Sequence, residues 1–355
     1  MKMDMDIVEK LEGYTFDKRW LIKKKMVATD KQSGSIFSIG YIVEKDAQEY
    51  FMKVFDFNAF FNEDADNMME ALHNMTSAHK HEKELSEYCK SNYVNKVVHV
   101  VDYGEEKIEG YPFMRVPYLI FELADGDVRK IISEDASIED SWFFKSLHDI
   151  GLGLKQLHKL KISHQDLKPS NILVFNRNDS KIGDMGRSVR EDKEGPFDSI
   201  SFTGDMNYAP PEIVYGYYDS LLHKRAYATD CYLLGSLTVF YFTNLTMTAL
   251  LLQHLPEKFN PYFWDKEDFD QLGVYLLDAF EKALQEFSSD IDNEKYKEDL
   301  VYIVRHLCHP NPEKRGHPKS KMFKNANQYD LQRFISHFNL LRHKTETDIK
   351  RASHG

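Results

Sequence analysis

Two aspartates, a lysine and an asparagine lie close together in the segment ISHQDLKPSNILVFNRNDSKIGDMG, residues 162–186. Phosphoryl transfer from a nucleotide needs a carboxylate to orient the acceptor hydroxyl, a cation near the transferred phosphate, and oxygen ligands for magnesium. The side chains that match these needs are Asp166, Lys168, Asn171 and Asp184. The segment therefore predicts a catalytic centre that uses ATP and Mg2+.

The elements around these residues predict how they are brought together. Pro169 forbids a regular helix, so Asp166 and Asn171 are expected on a loop with both side chains turned inward. The apolar runs at 172–175 and 181–183 predict a short hairpin that delivers Asp184 beside that loop.

The motif HQDLKPSN, residues 164–171, is similar to the catalytic loop H-R-D-L-x-x-x-N of protein kinases, and DMG, residues 184–186, is similar to their D-F-G motif. The Lys-Pro pair resembles the serine/threonine subgroup, so the chain is identified as a divergent member of the eukaryotic-like (Hanks-type) family. The resemblance implies an α+β, bilobal fold with a small β-rich N-lobe, a larger α-helical C-lobe and a cleft between them. It also makes Asp166 and Lys168 catalytic and makes Asn171 and Asp184 magnesium ligands.

The segment YFMKVFDF, residues 50–57, resembles the kinase strand whose lysine reaches the α and β phosphates of ATP, here Lys53. In the family this lysine pairs with a glutamate on the following helix. The region 78–90 has a helical pattern and offers two candidates. Glu84 fits the spacing better and is favoured, and Glu82 stays open as the alternative.

Further motifs occur in the order that the family has. The segment YLIFELADGD, residues 118–127, looks like the strand and hinge that hold adenine, with Phe121 behind the base and the backbone of Glu122 and Ala124 bonding it. The resemblance also implies three structural residues: Glu212 paired with Arg315, and Asp230 holding the backbone of the catalytic loop.

The phosphate-binding loop departs from the family pattern. SGSIFSIGYIV retains only Gly34 and Gly40 of the expected G-x-G-x-x-G, so less glycine freedom is available for cradling phosphate. The nucleotide contacts expected here come from Gly34, Ser35, Phe37 and Ser38.

Two further departures concern activation. Gln165 replaces an arginine that binds an activation-loop phosphate in many members, and a neutral amide does not hold a dianion as a guanidinium does. Switching by that route is not expected. Asp205 replaces a threonine that bonds the catalytic aspartate and lysine, and it either salt-bridges Lys168 or reshapes the substrate-docking surface. Candidates for autophosphorylation, each also readable as an ordinary loop residue, are Ser188, Ser199, Ser201 and Thr203.

Composition limits the class of protein. With 355 residues and 42% hydrophobic content, the chain can form two packed lobes. The net charge of −11 argues against nucleic-acid binding. The three cysteines show no paired spacing, which favours a reducing, cytoplasmic location. The uncharged stretch 231–253 is long enough for a bilayer but matches a buried kinase helix, so no membrane association is expected.

The motifs divide the chain into a short N-terminal extension (1–13), the N-lobe (14–122), the C-lobe (123–320) and a C-terminal helix with a tail (321–355). One face of the last helix is apolar, which predicts packing on the C-lobe or docking of a partner. The polar end from residue 344 onward is expected to fray. The residues of the apolar face are Leu331, Phe334, Ile335, Phe338 and Leu341.

The function predicted from these residues is ATP-dependent phosphorylation of serine and threonine hydroxyls on protein substrates, including autophosphorylation. The segment NYAPPE, residues 207–212, resembles the A-P-E end of the family's activation segment. A protein substrate is favoured over a small molecule because this activation segment is complete up to Glu212. The alternative from another class is a pseudokinase scaffold or nucleotide-sensing binding module. Three departures from the family pattern favour it: the glycine-poor phosphate loop, Gln165 and Asp205.

Overall fold

The computed structural model describes residues 5–26, 38–57, 68–111, 115–135, 137–264, 269–320, 322 and 327–353. The chain divides into two compact units. The N-terminal unit comprises Met1–Asp125 and Gly183–Gly186, and the C-terminal unit comprises Gly126–Ile182 and Arg187–Gly355. The short segment that carries Asp184 therefore belongs with the N-terminal unit.

The N-terminal unit is built on an antiparallel sheet, six-stranded within the described residues, in the order β1-β2-β3-β4-β6-β5. A helix, α1 (Met68–Ser91), contacts β5 and β6. The strands are β1 (Thr15–Phe16), β2 (Trp20–Lys25), β3 (Ser38–Lys45), β4 (Gln48–Phe55), β5 (Val100–Lys107) and β6 (Arg115–Glu122).

Lys53 lies on a strand that is paired on both sides. It faces Gly40 of β3 and Leu119 of β6 in the sheet register. The β3–β4 connection is a two-residue turn in which Asp46 and Ala47 have φ of 52° and 61°. Positive φ at both positions is typical of the tight hairpin turn whose twist matches the flanking strands. The backbone at Lys53 is therefore fixed from both edges.

The C-terminal unit is mainly helical. Its short strands are β7 (Gly126–Asp127), β8 (Ile162–Ser163), β9 (Ile172–Phe175), β10 (Asp179–Ile182) and β11 (Val189–Arg190). Its helices are α2 (Val128–Glu134), α3 (Asp140–Lys159), α4 (Pro211–Val214), α5 (Leu222–Thr243), α6 (Met247–Gln253), α7 (Phe269–Ser289), α8 (Glu294–Leu307) and α9 (Gln332–Ser353). A sheet in one unit and helices in the other confirm the α+β class.

The predicted hairpin before Asp184 is present as β9 and β10. The two strands pair antiparallel, with Ile172 opposite Ile182 and Phe175 opposite Asp179.

The long uncharged stretch 231–253 is broken at Asn244, which adopts a left-handed backbone with φ of 58°. Asparagine tolerates this conformation and often ends helices. Among the described residues, no helix alone meets the length and hydropathy of a bilayer span; α5 and α6 meet them only as a pair bent by 81°.

The C-terminal helix α9 packs against α3. All five residues of its predicted apolar face are buried. A Cβ on Gly151 of α3 would come within 3.0 Å of Ile335, so the glycine permits close approach of the two helices. The helix continues to Ser353, so the expectation of a frayed end from residue 344 is wrong. The buried Thr345 and the pairing of Asp348 with Lys295 at 2.7 Å support this last part.

We expect Phe338→Ala to lower the free energy of unfolding by about 3–5 kcal/mol, because it removes a fully buried ring from the apolar face of α9. Leu340→Ala on the same helix is the matched control, since Leu340 is 51% exposed. Urea denaturation of both variants measures the difference. Equal losses for the two would show that α9 is not packed as described.

Candidate active site

The lysine of β4 is held between two carboxylates inside the N-terminal unit. The Nζ atom of Lys53 lies 2.8 Å and 3.1 Å from the two carboxylate oxygens of Glu82, and 2.9 Å from Oδ1 of Asp184. Lys53 and Glu82 are both buried. A buried charge is tolerated when it is paired and hydrogen-bonded in this way. The two carboxylates hold the ammonium group in one place.

The preference for Glu84 as the partner of Lys53 is wrong. The side chain of Glu84 is 36% exposed and lies 3.8 Å from Lys80, whereas that of Glu82 is 3% exposed. Residues two apart on a helix point about 200° away from each other, so only one of them can face the sheet. The signal that favours Glu82 is its helical phase, which it shares with the buried Leu85 and Cys89.

The two carboxylates also decide the charge state of the lysine. Burial alone would lower the pKa of Lys53, but the attraction of Asp184 and Glu82 outweighs it and raises the pKa. Burial raises the pKa of Glu82, and the charge of Lys53 opposes that rise. Lys53 is therefore a fixed positive charge at neutral pH, suited to binding an anion.

The other nucleotide residues predicted from the sequence are described only in part. Gly34, Ser35 and Phe37 lie outside the described residues, and Ser38 begins β3. Glu122 ends β6 and Ala124 follows it within the N-terminal unit, while Phe121 is buried. Backbone contacts of these residues with adenine and phosphate stay predictions.

In the C-terminal unit, the carboxylate of Asp166 is surrounded by donors. The backbone N–H of Asp205 donates to its Oδ1 at 2.9 Å, and the amide Nδ2 of Asn171 donates to its Oδ2 at 3.1 Å. Lys168 Nζ lies 3.2 Å from Oδ2. The loop thus brings Asp166, Lys168 and Asn171 together, and the predicted inward orientation holds.

The backbone of this loop is held by the buried carboxylate of Asp230 on α5. Asp230 accepts hydrogen bonds from the backbone N–H groups of His164 and Gln165, both at 2.9 Å, and from Ser163 Oγ at 2.7 Å. His158 Nε2 lies 2.9 Å from the same carboxylate. Burial alone would raise the pKa of Asp230, but these hydrogen bonds outweigh it and lower the pKa. The implied structural role of Asp230 therefore agrees with the geometry.

Gln165 turns its side chain into the C-terminal unit, where it is 3% exposed. Its Nε2 donates to Ser163 Oγ at 2.8 Å and to the carbonyl of Ala226 at 2.9 Å. Its backbone has φ of 68°, a conformation that costs energy for a residue with a side chain. The hydrogen bonds of the Gln165 side chain therefore fix the loop to the interior of the C-terminal unit.

The activation segment is also held at its end. Arg315 is fully buried and forms two bonds of 2.6 Å with the carboxylate of Glu212. This bidentate pair is the one that the resemblance implied.

Of the candidate phosphorylation sites, Ser188 and Thr203 are buried and hydrogen-bonded to backbone carbonyls. Ser199 is exposed and Ser201 is half-buried, so these two are the more accessible hydroxyls.

The side chains predicted to bind magnesium have suitable chemistry, each in its own unit. Asp184 offers a carboxylate that is 31% exposed, and Asn171 retains a carbonyl oxygen because its amide nitrogen is used by Asp166. Magnesium prefers such oxygens and usually adds waters and phosphate oxygens. Within the described residues, no group of three or more His, Cys, Asp or Glu side chains could hold a metal. Each of the two side chains therefore has, by itself, the oxygen chemistry of a magnesium ligand.

We expect Glu82→Gln to lower the free energy of unfolding by about 3–5 kcal/mol, because it leaves the buried Lys53 charge with one carboxylate fewer. Glu84→Gln removes the same charge from a half-exposed position and is the control, with an expected change within about 0.5 kcal/mol. Chemical denaturation compares the two. A larger loss in Glu84→Gln would restore Glu84 as the partner.

Asp230 should make stability depend on pH. Because its pKa is lowered in the folded state, its contribution is present above the unfolded value of 3.8 and is lost as the pH falls through the folded value. We expect Asp230→Asn to flatten the fall in unfolding free energy below about pH 5. Denaturation at pH values from neutral to 3 would measure this, and an unchanged slope would contradict it.

Comparison with known proteins places this geometry in a family. The protein kinase domain model matches residues 64–325, so Lys53 and the residues predicted to bind phosphate, 34–38, precede the match. The serine/threonine-protein kinase GIN4 of Saccharomyces cerevisiae is 29% identical over 199 residues, which are 56% of this chain and 15% of that protein. The Aurora kinase of Debaryomyces hansenii is 28% identical over 121 residues, 34% of this chain and 28% of that protein.

Mitogen-activated protein kinase 5 of Arabidopsis thaliana is 42% identical over 69 residues, 19% of this chain and 18% of that protein. The chain thus spans between 15% and 28% of the length of these three relatives. The family model, in contrast, covers well over half of the chain. Together with the catalytic-loop geometry, this match shows that the chain belongs to the protein kinase family.

Proposed function

We propose that this protein is a serine/threonine protein kinase that transfers the γ-phosphate of magnesium-ATP to hydroxyls of protein substrates, including its own. The observation that carries the proposal is the environment of Asp166, whose two oxygens are oriented by Asp205, Asn171 and Lys168. A carboxylate held in one orientation is what the acceptor hydroxyl requires.

Each residue has one task in this reaction. Asp166 orients the hydroxyl and takes its proton as the oxygen bonds to the γ-phosphorus and the bond to ADP breaks. Lys168 balances negative charge on the transferred group. Lys53 would bind the remaining phosphates, and Asn171 and Asp184 would hold magnesium, which neutralises the phosphate charge.

A protein acceptor is supported by the end of the activation segment, which the buried Glu212–Arg315 pair ties to the C-terminal unit. The Lys168-Pro169 pair resembles the serine/threonine subgroup, and the first of the three relatives is named a serine/threonine-protein kinase. We propose a cytoplasmic location, because the three cysteines are buried as thiols and not as disulfides, which suits a reducing compartment.

A scaffold that binds nucleotide poorly is the second candidate, because the family match begins at residue 64, after the phosphate-binding loop and Lys53. The paired Lys53 and Glu82 favour the enzyme, since a module without need of nucleotide has no need of this buried ion pair.

Incubation with ATP labelled on the γ-phosphate, magnesium and a basic acceptor protein tests the proposal. We expect label on serine and threonine of the acceptor, and a loss of about 100-fold or more in Asp166→Asn. Asp192→Asn is the control, because it makes the same change of charge at an exposed position of the activation segment, where Asp192 pairs with Arg190. Transfer that survives in Asp166→Asn, or its absence from the wild-type protein, would overturn the proposal.

A further inference from the structure

Asp205 lies where the activation segment presses against the catalytic loop. A Cβ on the preceding Gly204 would overlap the carbonyl oxygen of Gln165, so this contact requires glycine. Thr203, one residue earlier, forms two hydrogen bonds with Arg187. The Thr203 hydroxyl donates to the Arg187 carbonyl at 2.7 Å, and the Arg187 guanidinium donates to the Thr203 carbonyl. The backbone at Asp205 is therefore fixed before its side chain contributes.

The carboxylate of Asp205 links two parts of the chain. Its Oδ2 lies 3.6 Å from Nζ of Lys168. Its Oδ1 accepts from the backbone N–H and the side-chain amide of Asn207, both at 3.0 Å. Its own backbone N–H donates to Asp166 at 2.9 Å. One residue thus contacts both catalytic side chains and the start of the turn that leads to α4.

The charge of this side chain is the important point. Lys168 is buried, with only 8% of its side chain exposed, and it lies between the carboxylates of Asp166 and Asp205. A buried ammonium group is stabilised by opposite charge far more than by a neutral hydroxyl. Threonine at position 205 would leave Lys168 with Asp166 as its carboxylate partner, whereas Asp205 supplies a second one.

We propose that Asp205 is a positioning residue whose negative charge holds Lys168 and Asp166 in their catalytic arrangement. The inference rests on the proposed kinase function and resolves the choice that the sequence left open. One carboxylate oxygen of Asp205 faces Lys168 and the other accepts from Asn207, so the side chain acts on the catalytic loop through its ion pair with Lys168.

Three variants test this role. Asp205→Asn keeps the shape and removes the charge, Asp205→Glu keeps the charge, and Asp192→Asn is the control for charge elsewhere on the segment. We expect Asp205→Asn to lower kcat by about tenfold or more, with KM for ATP and for the acceptor within about twofold of wild type. Asp205→Glu should recover most of the lost kcat, and Asp192→Asn should match wild type.

Three results would overturn the role: an unchanged kcat in Asp205→Asn, a raised KM for the acceptor as its main defect, or equal defects in Asp205→Asn and Asp205→Glu. A second readout does not depend on activity. We expect the rate at which an amine-reactive reagent modifies Lys168, followed by mass spectrometry, to rise severalfold in Asp205→Asn only.

The two readouts separate the two proposals. If wild-type protein transfers no phosphate, the kinase function fails, and the Lys168 modification rate alone decides whether Asp205 holds that side chain. Unchanged modification in Asp205→Asn would then reject the positioning role as well.

Discussion

One buried carboxylate, that of Asp230, fixes the loop that carries Asp166 and Lys168, on which the proposed catalysis depends. It receives two backbone N–H groups, the Ser163 hydroxyl and a ring nitrogen of His158 within 2.9 Å. A carboxylate without exposure to water is costly unless its oxygens are satisfied in this way. Since Asp166 follows Gln165 directly, the two backbone bonds set the position from which the catalytic aspartate extends.

The same rule, that a buried charge must find its opposite, explains the rest of the site. Lys53 is held by Glu82 and Asp184, Arg315 by Glu212, and Lys168 by Asp166 and Asp205. Removing one partner leaves an uncompensated charge, so these pairs act as geometric constraints more than as sources of stability. The neutral side chain of Gln165 is also satisfied when buried, because its amide nitrogen donates hydrogen bonds to the Ser163 hydroxyl and the Ala226 carbonyl.

Local patterns sufficed to predict the loop from Asp166 to Asn171 and the hairpin before Asp184, because Pro169 and short apolar runs have strong conformational preferences. Glu84 was preferred to the actual partner, Glu82, because the surrounding residues of α1 are largely polar and do not mark which face of the helix is buried. The break at Asn244 was missed because composition reports hydropathy and not backbone conformation. Contacts such as Asp205 with Lys168 join distant residues and need the folded chain.

Hydrogen exchange at the backbone amides of His164 and Gln165 tests the central constraint most directly. If Asp230 fixes the catalytic loop, these two amides should exchange in the wild-type protein as slowly as amides in the most protected helices of the C-terminal unit. Asp230→Asn should speed their exchange while leaving α8 protected. Exchange in the wild-type protein as fast as in the exposed part of the activation segment would show that Asp230 does not hold the loop.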